Sequence, residues 1–87
     1  MLTIHFKRGF ILFIQYNDFN EYSYQIHFSQ KPNDFIRFDN YDDRWNVKTK
    51  PHHLHPRWKK DALESPMIGN PKKDIPLLIK QIKEILD

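Results

Sequence analysis

Three histidines fall within four residues, in the run Pro51-His52-His53-Leu54-His55-Pro56. Imidazole changes charge near neutral pH, so such a cluster suits proton transfer. The flanking prolines hold the run extended. In an extended run His53 and His55 share a face and His52 points away. Upstream, Ile36-Arg37-Phe38-Asp39-Asn40 offers a guanidinium that can hold a phosphate bidentately and a carboxylate that can orient a histidine tautomer or pair with Arg37. His27 adds another imidazole. Proton-transfer chemistry at a phosphate needs a base, an acid and a cation for the developing charge. The candidate catalytic set is therefore His27, Arg37, Asp39, His52, His53 and His55. His53 with His55, or His27 with His53, could serve as base and acid, and Arg37 or Lys50 could hold the phosphate.

A second group surrounds the histidines. Residues 44–60 carry Arg44, Lys48, Lys50, Arg57, Lys59 and Lys60 and no acid, while the segments on either side are net acidic. All the excess positive charge therefore sits beside the histidines, with Trp45 and Trp58 in the same stretch. Cations interleaved with aromatics suit a phosphate backbone whose bases stack on rings. These eight residues are the candidate nucleic-acid-binding set. A solvated basic loop with buried tryptophans is the plainer alternative.

Alternating strands must position these groups. Leu2, Ile4 and Phe6 alternate with Thr3, His5 and Lys7, as in a half-buried strand with His5 solvated. Phe10 to Tyr16 is almost wholly apolar and reads as covered on both faces. Tyr22, Tyr24, Ile26 and Phe28 alternate with polar residues, and this stripe reads as core. Ile36 and Phe38 alternate with Arg37 and Asp39. Burying both apolar pairs predicts antiparallel pairing of 26 with 38 and 28 with 36. That register places His27 opposite Arg37 and Gln25 opposite Asp39, all four on one polar face.

Residues 41–70, interrupted by Pro51, Pro56 and Pro66, read as a basic, histidine-rich loop with at most one short strand. Ile75, Leu78, Ile79, Ile82, Ile85 and Leu86 follow helical spacing, with Lys80, Lys83, Glu84 and Asp87 on the outer face. The spacing predicts a helix over 74–86, with Asp74 as N-cap and Pro76 in the first turn; Asn70-Pro71 could start an earlier turn. The expected fold is α+β: a four- or five-stranded antiparallel meander over 2–40 with the helix across one face.

A chain of 87 residues reads as a single domain spanning 1–87, since two cores would each be too small. Without cysteine, it has no disulfide, thiolate zinc site or cysteine nucleophile. The longest apolar run, Phe10–Ile14, is too short to span a membrane, and the first residues lack the pattern of a signal peptide. A cytoplasmic protein is expected, with no membrane partner and no cofactor. The edge strand Leu2–Lys7 could pair with another chain to make a homodimer.

Tyr24 with His27, then Ile36-Arg37-Phe38-Asp39-Asn40, Thr49-Lys50-Pro51-His52-His53-Leu54-His55 and the Asp74…Ile82…Ile85 helix together resemble the TumE family. Its members are small toxins of prokaryotic toxin–antitoxin pairs. The resemblance covers about residues 10–87. It implies a growth-inhibiting type II toxin, acting as an endoribonuclease, with a cognate antitoxin as its partner. The family pattern has a proline and a first histidine pair after Asp-Asn, where this chain has Tyr41-Asp42-Asp43-Arg44. It also has lysine where this chain has Leu54. Two alternatives stand beside the nuclease: an inactive or non-enzymatic module that binds the antitoxin or a nucleic acid, and a metal-binding protein in which His52, His53 and His55, with Asp39 or His27, hold zinc or a similar ion.

Overall fold

The alternating segments pair with their neighbours in the chain. The computed structural model describes residues 1–41 and 44–86, and the side chain of Leu86 lies outside that description. Six strands form one antiparallel sheet in chain order: β1 (Leu2–His5), β2 (Ile11–Tyr16), β3 (Tyr22–His27), β4 (Phe35–Asp39), β5 (His53–His55) and β6 (Leu63–Glu64). One helix follows, α1 (Pro71–Leu86). The class is the expected α+β meander with a C-terminal helix, but the strand count is six. β5 and β6, of three and two residues, are too short for alternation to reveal.

Even-numbered strand residues form the core. Leu12, Ile14, Tyr22, Tyr24, Ile26, Phe28 and Phe38 cluster with Leu78 and Ile82 of α1 and with Met67. Ile75 and Ile85 lie against the cluster as their spacing predicts, whereas Ile79 is 47% exposed and lies outside the buried stripe. Odd-numbered residues face the other way. Ile11 and Phe13 are only half-buried, so β2 is covered on one face rather than both.

The β3–β4 register differs from the expectation by two residues. Ile26 pairs with Ile36, Tyr24 with Phe38, Gln25 with Arg37, His27 with Phe35 and Ser23 with Asp39. A two-residue shift keeps every side chain on its predicted face. The connecting loop sets the register. Asn33 takes a left-handed φ of 64°, which asparagine tolerates, and the Phe28 amide donates to the Asp34 carbonyl. The buried Asp34 carboxylate accepts from Ser29 Oγ and from Arg57 Nε. These contacts close the hairpin one pair earlier than apolar matching alone suggests.

The helix begins one turn before its apolar stripe. Asn70 is the N-cap: its Oδ1 accepts the Lys72 amide, and its carbonyl accepts the amides of Lys73 and Asp74. Pro71 takes the first helical position, which needs no amide hydrogen. Pro76 therefore lies beyond the first turn. Asp74 does a different job from capping. It is fully buried and accepts the Tyr24 hydroxyl at 2.7 Å, the Ile68 amide at 3.0 Å and the Gly69 amide at 2.7 Å. This triple acceptor fixes the helix to the inner face of the sheet.

Candidate active site

β4 and β5 bring Arg37 opposite His55 and Asp39 opposite His53. Asp39 and His53 are each 1% exposed. Asp39 Oδ1 accepts the Tyr41 amide at 3.1 Å and lies 2.9 Å from His53 Nε2. The other ring nitrogen of His53, Nδ1, donates to the Pro51 carbonyl at 2.9 Å. A carbonyl cannot donate, so Nδ1 carries a proton. Nε2 faces the Asp39 carboxylate across the two strands.

Asp39 Oδ2 faces two further groups. Arg37 Nε lies 2.8 Å away and His55 Nε2 lies 3.9 Å away. The Arg37 N–H is not aimed at the oxygen, so the contact is ionic. Neither atom has a hydrogen-bond partner among the described residues. His55 Nδ1 donates to the Asp61 carbonyl at 3.2 Å, which leaves the lone pair on Nε2. The two imidazoles are perpendicular, with centroids 4.7 Å apart. Burial holds the His55 pKa below its ordinary value, and the Arg37 guanidinium pushes it the same way against the raising effect of Asp39. His55 is therefore neutral, and available as a base, at neutral pH.

Trp45 covers this group, its ring 6.0 Å from His53 and edge-on to His55 at 5.3 Å. Arg44 sits over the Trp45 ring at 4.8 Å. A cleft of about 390 Å³ opens beside them, with Arg37, Arg44, Trp45, His55, Lys59 and Lys60 among its walls. Half of the candidate nucleic-acid-binding set thus lines one cleft with His55 and Arg37. Lys48 and Lys50 lie exposed in the turn before β5. Arg57 is held by Asp34 and lies over the rings of Phe28 and Trp58.

His52 points away from the cluster, as the alternation predicts. Its ring stacks on Tyr22 and its Nδ1 lies 2.8 Å from the Tyr22 hydroxyl. His27 shares the face of Arg37 but stands opposite Phe35, one pair further along, and its Nε2 bonds Gln25 Oε1 at 2.9 Å. Asn40 is a fastener: Oδ1 accepts the Tyr22 amide and Nδ2 donates to the Asn20 carbonyl. The carbonyls of Pro51 and Asp61, which set the two tautomers, give no side-chain signal in the sequence.

Asp39, His53 and His55 offer ligand atoms that all lie within 4.8 Å of one another, and imidazole with carboxylate suits a divalent transition metal. The Arg37 guanidinium already supplies positive charge at that carboxylate. His52 and His27 are directed elsewhere, so they do not complete the donor set.

No helix among the described residues is long and apolar enough to cross a membrane. Leu54, at the position where the resemblance has lysine, pairs with Phe38 and lies against the inner core. That departure is therefore on the face turned away from Asp39. Asp42 and Asp43, part of the other departure, lie outside the described residues. Comparison with known proteins gives no match among curated proteins and none among solved structures. The model of the family described as Toxin TumE matches residues 1–86. With nearly the whole length covered, the chain belongs to the TumE toxin family.

Proposed function

We propose that this toxin acts as an endoribonuclease and that its reaction centre is the cleft beside His55 and Arg37. One observation carries the reading. A neutral, partly accessible imidazole and a half-exposed guanidinium stand directly opposite each other on one sheet face, the imidazole held by the Asp61 carbonyl and the guanidinium paired with the buried Asp39 carboxylate. His55 Nε2 is the base that removes a 2′-hydroxyl proton. The freed oxygen attacks phosphorus, the bond to the 5′-oxygen breaks, and water in the open cleft protonates the leaving oxygen. The product is a cyclic phosphate. Arg37 stabilises the charge on the phosphoryl oxygens. Asp39 and His53 are too buried to touch RNA. Asp39 positions Arg37, and the His53 ring packs edge-on against that of His55.

A cognate antitoxin is the expected partner, and its presence would keep the cleft from RNA. Inducing the wild type, His55→Ala and Arg37→Gln in bacteria tests the reading. Growth arrest with RNA decay in the wild type alone is expected, with cyclic phosphate ends on the fragments. Equal RNA decay in all three would remove this centre. A second reading, metal-assisted cleavage, draws on the Asp39–His53–His55 donor set. Chelator in a purified cleavage assay separates the two, because activity that survives it needs no divalent ion.

A further inference from the structure

We infer that the outer face of the sheet is a track for single-stranded RNA, leading from the aromatic row on β2–β4 into the cleft at His55. The inference rests on the nuclease reading for its direction and on separate observations for its existence. β2 is apolar at both parities. Its inner residues fill the core, but Ile11 and Phe13 stay half-buried on the outer face. A shallow hollow of about 370 Å³ lies there, with Phe13, Gln25 and His27 in its wall.

Aromatic rings continue across the strands. Phe13 meets His27 edge-on at 5.1 Å, and His27 stacks on Phe35 at 5.2 Å. Phe35 is also part of the basic cleft. The register aligns Phe13, Gln25, Arg37 and His55 as directly opposed neighbours on four successive strands. At about 4.8 Å per strand, this row is roughly 14 Å long, room for two or three nucleotides. Cations gather at the His55 end and uncharged rings and amides at the other.

That division matches the two parts of an unpaired strand. Phosphates meet Arg37, Arg44, Lys59 and Lys60, and bases stack on Phe35 and Phe13. A duplex keeps its bases stacked on each other and can use only the cations. The occupant is therefore unpaired RNA, and a protein covering the same apolar face would not need the row to run into the basic cleft.

The test is fluorescence anisotropy with a labelled 2′-O-methyl decanucleotide, which cannot cleave through a 2′-hydroxyl, alone and annealed to its complement. The single strand should bind about tenfold more tightly than the duplex. Phe13→Ala should weaken single-strand binding about five- to tenfold and leave duplex binding unchanged. Phe13→Tyr, which keeps a stacking ring, should bind like the wild type. Circular dichroism checks the fold, and Phe13→Thr, a good strand former, replaces the alanine variant if that variant unfolds. Equal affinity for single strand and duplex, or no loss in the folded Phe13 variant, overturns the track. The unmodified decanucleotide separates the two readings. If it stays intact while the binding pattern holds, the nuclease fails and the track stands. If it is cut equally well by Phe13→Ala, the track fails and the nuclease stands.

Discussion

Asp39 and His53 are fourteen positions apart in the chain, yet His53 Nε2 and Asp39 Oδ1 meet at 2.9 Å across two paired strands, both groups almost wholly buried. Removing the His53 ring empties buried space beside Asp39 and takes away one of the contacts to its carboxylate. His53→Ala should destabilise the protein by about 3 kcal/mol in urea denaturation, within the range for a broken buried pair. His55→Ala, at the more accessible edge, should cost about 1 kcal/mol and abolish RNA cleavage. A His53→Ala variant as stable as the wild type would contradict the pairing.

The lowered pKa of His55 has a signed consequence. The charged imidazolium is disfavoured in the fold, so the unfolded chain binds this proton more readily. Its contribution to stability is present above the ordinary histidine value of 6.5 and is lost as pH falls through the lower folded value. The acidic limb of cleavage should accordingly lie below 6.5. Arg37→Gln removes one cause of the depression, so the His55 ring protons should titrate at higher pH in an NMR experiment on that variant. An unchanged or lower midpoint would show that Arg37 does not govern His55.

Asp34 also responds to acid. Burial raises its pKa, but hydrogen bonds from Arg57 and Ser29 outweigh burial and hold it below the usual carboxylate value. Its stabilising contribution is present above 3.8 and is lost as pH falls further. Arg57→Ala should unfold at higher pH than the wild type on acid titration followed by circular dichroism.

Tyr24→Phe removes one of three hydrogen bonds to the buried Asp74 and should cost about 1–2 kcal/mol. Because the bond joins β3 to α1, loss of helix signal should coincide with the main transition, as measured by thermal melting in the far ultraviolet. No change in midpoint would show that the two amide bonds alone suffice.

The two glycines should respond unequally to alanine. Gly69 has a φ of 85°, and an added Cβ would lie 2.9 Å from Tyr22 Cδ1. Gly9 has a φ of 77° with nothing within 4 Å. Gly9→Ala should cost about 1 kcal/mol for left-handed backbone alone, and Gly69→Ala should cost more because the buried Tyr22 must shift. Parallel denaturation curves settle the order.

Much of this arrangement is legible in the sequence because it depends on parity. Ile26, Phe28, Ile36 and Phe38 define an inner face, and that alone places Arg37, Asp39, His27 and Gln25 together on the other. The same reasoning separates His52 from His53 and His55. Register is less legible: Asn33 and the buried Asp34 decide it, and polar turn contacts leave no apolar signature. Helix position shows the same limit, since the stripe marks the buried side of α1 while Asn70 and Pro71 mark its start. The pairing of β4 with β5 crosses residues 40–52, so no local pattern announces that Asp39 meets His53.

The order β1 to β6 has an evolutionary consequence. Every strand pairs with its neighbour in the chain, so short loop closures carry most of the folding, and the longest connection between paired strands, residues 40–52, closes late. That connection carries Arg44 and Trp45 at the mouth of the cleft, while the inner-face meander of β1–β4 with α1 holds the core. Drift at its exposed positions Arg44, Asn46 and Lys48 can retune which RNA is admitted at little cost to folding, while Asn40, Thr49 and His52 stay tied to the sheet.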